Sequence, residues 1–279
     1  MAQISLIIAV YNRPEVLRLV LASVARQSYC DLEVIIADDG SGPEVKKVVE
    51  EAKRQFSFPI KHLWQDDLGW RKNAILNKAI QSSTADYLVF IDGDCIVAKH
   101  FLRDHWQERE QGKALLGRRV EMSERWTNSI SVEDVKNGRF QRFGFAELLD
   151  GLKGKAVRLE DGVRVSNPVL RKLMPRALYT ILGSNFSVHR SDMLVINGFD
   201  ELYDGPGLGE DSDIQYRLSL IGVTGKSLRN LAIEFHMYHP RTKPSGKSVK
   251  RFDEVKRVGE ARCKFGIKKP DAVQVQERI

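Results

Sequence analysis

Hydrophobic residues along the chain fall into two alternating patterns. Short continuous apolar runs, rich in β-branched residues, give way to longer runs whose apolar positions lie three or four apart. ISLIIAV over 4–10 is of the first kind, too short for a helix and apolar on both faces, and it predicts a strand covered on two sides. EVLRLVLASVARQ over 15–27 is of the second kind: Val16, Leu17, Val20, Leu21 and Val24 recur at helical spacing, and Pro14 suits a first helical turn. The unit then repeats, predicting strands over 32–42, 58–65 and 86–94 and helices over 43–55 and 71–83. Strands alternating with such helices imply βαβ units, right-handed crossovers and a mainly parallel sheet.

Beyond residue 100 the pattern weakens. Residues 100–110 predict a helix and LLGRRVEMS over 115–123 a strand, whereas 124–180 is a basic, aromatic-containing stretch of mixed helix and loop. In it Trp126, Phe143 and Phe145 are either rings that stack on a ligand or core residues. Regularity returns over 179–201, then in a helix over 209–222 and a strand over 228–240. The division expected is one α/β domain over 1–240, with halves 1–120 and 121–240, and a basic extension over 241–279 with some helical pattern.

Composition narrows this little. An apolar fraction of 42% and a charged fraction of 29% suit a globular chain rather than disorder. The formal charge of +7, from 44 Lys plus Arg against 37 Asp plus Glu, leaves nucleic acid, anionic membrane and phosphorylated substrate open, and no recognition motif favours nucleic acid. Much of the excess lies beyond residue 240, which is either a solvated helix or a peripheral contact with a membrane. Three scattered cysteines exclude a disulfide framework or thiolate zinc site. The first apolar run lacks a basic flank and a cleavage pattern, and no stretch has the roughly 18 apolar residues that span a bilayer. A cytoplasmic protein is expected, soluble or peripheral at the inner face of the membrane.

The chemistry clusters at strand ends. Ligands of parallel sheets bind outside the carboxyl ends of the strands, where Tyr11-Asn12-Arg13, Asp38-Asp39 and Asp92-Gly93-Asp94 all fall. In extended backbone residues i and i+2 face one way, so Asp92 and Asp94 are expected to converge, and Gly93 would let a ligand approach closely. Two such carboxylates repel unless a divalent cation relieves them, and hard oxygen ligands suit Mg2+ or Mn2+. Asp-Gly after the second strand is often only a turn; Glu210-Asp211 is, on its own, a stabilising acidic cluster in a helix's first turn. Of His236 and His239, one or both could complete a metal shell. An i, i+3 pair can share an ion only if the strand ends between them.

These segments, with GWRKNAILNKAI and ADYLVFIDGD, resemble the nucleotide-sugar-binding half of the GT-A glycosyltransferases of family 2. GSNFSVHRSDMLVINGFDE and GEDSD resemble the acceptor-side segment of the β-1,4-galactosyltransferase type. The resemblance covers residues 3–240 and implies a UDP-sugar donor, a glycan or lipid-linked glycan acceptor, and inverting chemistry in surface polysaccharide or lipopolysaccharide synthesis. It implies that Asp39 reads the uracil, framed by Ala9 and Tyr11 with Arg13 beside them. Arg71 and Lys72 would lie near the diphosphate, Asp92 and Gly93 at the ribose, and Asp94 and a late histidine on the metal. Asp211 would be the general base and Glu210 would orient the acceptor. A nucleotide-binding relative without turnover, or a sugar nucleotidyltransferase, is the alternative; the latter would be expected to carry a glycine- and lysine-rich loop after the first strand, and YNRPE lacks one.

Overall fold

Residues 2–173, 180–205, 210–240 and 246–270 are described by a computed structural model. β1 (Ile4–Val10), β2 (Leu32–Asp38), β3 (Ile60–Trp64) and β4 (Tyr87–Asp92) pair in parallel and are joined by α1 (Pro14–Val24), α2 (Pro43–Gln55) and α3 (Lys72–Ser82). The chain continues through β5 (Cys95–Val97), α4 (Phe101–Glu108), β6 (Lys113–Leu116), β7 (Arg119–Glu121), α5 (Glu124–Ser129), α6 (Val132–Asn137), α7 (Phe145–Leu152) and α8 (Pro168–Leu173). Then come β8 (Phe186–His189), α9 (Arg190–Val195), α10 (Glu210–Leu220), β9 (Thr224–Ser227), β10 (Glu234–His236) and α11 (Gly246–Val258).

Among the described residues the main sheet runs β3-β2-β1-β4-β8-β6-β9, with β8 antiparallel to both neighbours and every other pairing parallel. A small second sheet, β5-β10-β7, stands beside it. Alternation along β1 explains why its sequence is apolar throughout. Leu6 and Ile8 join the core under α1 and α2, while Ile7 faces the opposite core with Ile75 and Ile80 of α3. Each such side chain, fully buried, contributes about 1.5–3 kcal/mol.

The mainly parallel α/β sheet expected from the sequence is present. Three local expectations are corrected. Residues 115–123 are not one strand but β6 and β7, in different sheets, broken at Gly117-Arg118; a Cβ on Gly117 would lie 1.8 Å from the Asn185 side chain, so only glycine fits the crossing. The late strand is confined to Glu234–His236, because Asn230 and Ala232 before it take positive φ angles of 59° and 26°. β4 ends at Asp92 and the chain turns through Gly93-Asp94 into β5, so Asp92 and Asp94 do not project from one extended segment.

The described part of the basic extension is packed down, not free. Arg251 of α11 reaches Asp200 at 2.6 Å, Phe252 meets Tyr216 of α10 edge-on at 6.3 Å, and Asn197 Nδ2 donates to the carbonyls of Cys263 and Lys268. Residues 241–245 and 271–279 of that extension, Tyr179 and Gly209 lie outside the described residues. No described helix is long and apolar enough to cross a membrane.

Candidate functional site

Because β1, β2 and β4 are parallel and in register, with Ala9 beside both Ala37 and Asp92, their carboxyl ends open on one edge. There a cleft of about 720 Å³ is walled by that edge, the start of α10 and the end of β10. This volume suits a small-molecule ligand. Of the residues assigned to donor, metal or acceptor from the sequence, all but Arg71 lie in its wall.

The end nearest β2 sorts two adjacent aspartates. Asp38 is buried in the turn, accepting the Ser41 N–H at 2.8 Å and bonding His62 Nε2 at 2.8 Å. Asp39 faces the cleft, its Oδ2 accepting the Arg71 N–H at 2.8 Å and its Oδ1 the Gln65 amide at 2.6 Å; burial raises its pKa. Arg71 thus serves Asp39 through its backbone. Tyr11 is exposed and donates from its hydroxyl to Asp67 Oδ2 at 3.0 Å. Asn12 and Arg13 both take left-handed φ angles, 52° and 58°, a strained pair for non-glycine residues, pinned by Asn12 N–H to Ser41 Oγ at 2.7 Å. The turn aims Arg13 Nη1 at Asp94 Oδ2, 3.0 Å away.

At the centre the two carboxylates divide. Asp92 Oδ1 accepts from Lys72 Nζ at 2.7 Å; burial would raise the pKa of Asp92, but the ammonium outweighs it and the net shift is downward. Gly93 N–H donates to the Ala9 carbonyl at 2.7 Å, and a Cβ there would lie 2.8 Å from that oxygen. Asp94 instead meets the histidines, its Oδ1 being 3.6 Å from His236 Nε2 and its Oδ2 3.6 Å from His239 Nε2. β10 ends at His236, which lets both rings share the aspartate.

Each imidazole is engaged at its other nitrogen, His236 Nδ1 with Glu121 Oε2 at 2.8 Å and His239 Nδ1 with the Pro240 carbonyl at 2.9 Å. Those acceptors engage Nδ1 and turn both Nε2 atoms toward one carboxylate. Two imidazole nitrogens and a carboxylate converging this way could hold a cation, with Glu121 fixing one of the rings from behind. Cys95 adjoins the group, but burial pushes its thiol pKa well up, keeping it protonated.

Across the cleft α10 begins with the acidic pair. Asp211 Oδ2 accepts the Gly183 N–H at 2.8 Å, and a Cβ on Gly183 would lie 2.6 Å from Asp211 Oδ1. Burial raises the pKa of Asp211. Glu210 is buried, its Oε2 has no partner among the described residues, and burial followed by the Asp211 charge pushes its pKa up to about 8. Burial would depress the Lys72 ammonium, but Asp92, Glu210 and Asp211 more than reverse this, holding it charged.

The sequence reading missed Arg119 and Glu121. Arg119 lines the cleft, donating from Nε to Glu121 Oε1 at 2.9 Å and from Nη1 to Ser184 Oγ at 3.1 Å. Burial would raise the Glu121 pKa, yet His236 and Arg119 bring it down to about 2. Their i, i+2 spacing in RRVEM was the available signal, masked by reading 115–123 as one strand. Of the aromatic candidates, Trp126 is 2% exposed and Phe143 partly buried, both packed edge-on or tilted against Phe235 in the core; neither they nor Phe145 lines the cleft.

The family model described as glycosyl transferase family 2 matches residues 5–159, and that described as the N-terminal domain of galactosyltransferase matches 169–240. Validoxylamine A glucosyltransferase of Streptomyces hygroscopicus subsp. jinggangensis is 28% identical over 229 residues, 79% of this chain and 52% of that protein. Chondroitin synthase of Escherichia coli is 25% identical over 251 residues, 85% of this chain and 35% of its own length. The chain therefore spans about half or less of these curated relatives. The solved structure of GalNAc-T7 with UDP, GalNAc and Mn2+ superposes with a TM-score of 0.64 at 14% identity, over 92% of this chain and 48% of that one, a likeness of fold.

Proposed function

Because the chain belongs to glycosyl transferase family 2, we propose that it is an inverting, metal-dependent glycosyltransferase. It moves a sugar from a UDP-sugar to a glycan or lipid-linked glycan acceptor in synthesis of a bacterial surface polysaccharide, lipopolysaccharide among them. The observation that carries this reading is Asp94 facing the Nε2 atoms of two histidines in the same cleft as Asp39 and Asp211. Relatives named as a validoxylamine A glucosyltransferase and a chondroitin synthase, and a like-folded protein solved with UDP and Mn2+, support it.

In this reading Asp39 accepts from the uracil, Ala9 and Tyr11 frame the base, and Asp92 with Gly93 meets the ribose. Arg13, Lys72 and Arg119 surround the diphosphate. Asp94, His236 and His239 would hold Mn2+ or Mg2+, and the bound ion supplies charge stabilisation for the departing diphosphate. Asp211 takes the acceptor's hydroxyl proton at Oδ1, its Oδ2 being engaged by Gly183. The acceptor oxygen then bonds to the anomeric carbon as the bond to the diphosphate breaks on the opposite face, which inverts the centre. Burial, which raises the pKa of Asp211, makes it a stronger base than a solvated aspartate. Glu210 orients the acceptor.

Thermal stabilisation by UDP-, GDP- and dTDP-sugars with and without Mn2+ or Mg2+, followed by transfer assays, tests the proposal. UDP-sugars are expected to stabilise only with metal; Asp211→Asn should retain that response and lose transfer. Failure of every nucleotide to bind in the presence of metal would remove the reading.

A further inference from the structure

Helix α7 is mounted with its polar side inward. Asp150 is buried, accepting from Ser123 Oγ at 2.5 Å and Arg125 Nε at 3.1 Å, while Glu147 takes Arg125 Nη2 at 3.0 Å and the Gly144 N–H at 2.9 Å. These bonds fix the roll of the helix. Phe145, Leu148 and Leu152, at i, i+3 and i+7, consequently share the outer face, and they are 83%, 49% and 87% exposed. A single exposed leucine needs no explanation, but an apolar stripe held outward by ion pairs on the opposite face marks a contact surface.

The segments that flank the helix in sequence carry the exposed basic residues Arg142, Lys153, Lys155 and Arg158, whereas the helix's own carboxylates are engaged by Arg125 and Ser123. The next exposed acid along the chain, Glu160, stands 3.6 Å from Arg229. We propose that this face of α7 seats on an anionic lipid bilayer, with Phe145, Leu148 and Leu152 entering the headgroup boundary and the four basic side chains against lipid phosphates. Apolar insertion and positive charge are the two signals whose combination holds a peripheral protein on such a surface. The surface is distinct from α11, where the basic residues are most numerous in sequence. It also adjoins the site: Ser123, which anchors Asp150, follows Met122, whose N–H donates to the His236 carbonyl at 2.9 Å. Seating α7 therefore holds the histidine wall of the cleft close to the lipid.

Co-sedimentation of the full chain with vesicles of equal parts phosphatidylcholine and phosphatidylglycerol, or of phosphatidylcholine alone, tests this independently of any transfer assay. Wild type is expected to sediment with the anionic vesicles at low salt, to bind the neutral ones far less, and to be released by high salt. Phe145→Ser with Leu152→Ser should lower the bound fraction about tenfold with an unchanged unfolding transition, while Lys250→Gln with Arg257→Gln in α11 should leave it unaltered. Absence of wild-type binding, equal binding by the Phe145/Leu152 variant, or loss only in the α11 variant would overturn the proposal. So would a wild-type dimer that the Phe145/Leu152 variant converts to monomer, since a second copy would then be the occupant.

Discussion

Gly183 and Asp211 constrain each other: the glycine's N–H holds one carboxylate oxygen, and the space where its Cβ would sit is taken by the other. Gly183→Ala must therefore push the Asp211 carboxylate aside. Misplacement of a catalytic group by about 1 Å costs on the order of 100-fold, so kcat should fall by about that factor while donor affinity stays near wild type. Steady-state kinetics with varied donor would separate the two. Glu210 gives a second prediction, for the ligand-free chain. Its pKa is raised on folding from 4.5 to about 8, so the folded state binds a proton that the unfolded state has released. Its contribution to stability is full below the unfolded value and is lost as pH rises through the folded one. Urea unfolding at pH 5 and pH 8 should show wild type losing stability over that span, with Glu210→Gln losing less.

Trp126 ties α5 to the element that carries His236. Its ring is buried edge-on against Phe235 and Phe143 at 5.8 and 5.9 Å. Trp126→Ala should cost about 3–5 kcal/mol in equilibrium unfolding, the range for deleting a buried aromatic ring. Whether that position was core or sugar platform was not legible from the sequence, because burial by a distant strand leaves no local periodicity. β1, β2, β4 and the three helices were legible for the opposite reason: each of those strands is largely apolar on two faces and each helix on one, whereas β3, an edge strand with Lys61 and His62, followed from the repeat of the unit. β5 and β9, three and four residues long, were not read at all, and β7 and β10, with polar members such as Arg119, Glu121 and Glu234, were read only inside longer strands over 115–123 and 228–240, because so short an alternation sets no bounds. The cleft residues were found through resemblance and spacing. What spacing misjudged was direction, since a turn at Gly93-Asp94 sends Asp92 to Lys72 and Asp94 to the histidines.

At the scale of the molecule, a cleft edge built by residues 9–94 meets a wall built by residues 119–239, and their charges do not balance. The carboxylates Asp39, Asp92, Asp94 and Asp211 line the cleft against the cations Arg13, Lys72 and Arg119, while Glu210, its pKa pushed up to about 8, adds a further negative charge only in alkali. A nucleoside diphosphate entering this field is repelled unless a further positive charge arrives with it. In the proposed function a divalent ion at Asp94 would supply that charge, where the carboxylate and two imidazoles converge. Nucleotide binding should therefore be conditional on metal, and conditional through Asp94. Calorimetric titration of UDP into wild type and Asp94→Ala, each with Mn2+ and with chelator, tests this most directly. Tight binding by wild type with Mn2+ alone, lost on chelation and absent from Asp94→Ala, is the predicted result. Equal affinity in the variant, or binding by wild type that chelation leaves unchanged, would contradict the account.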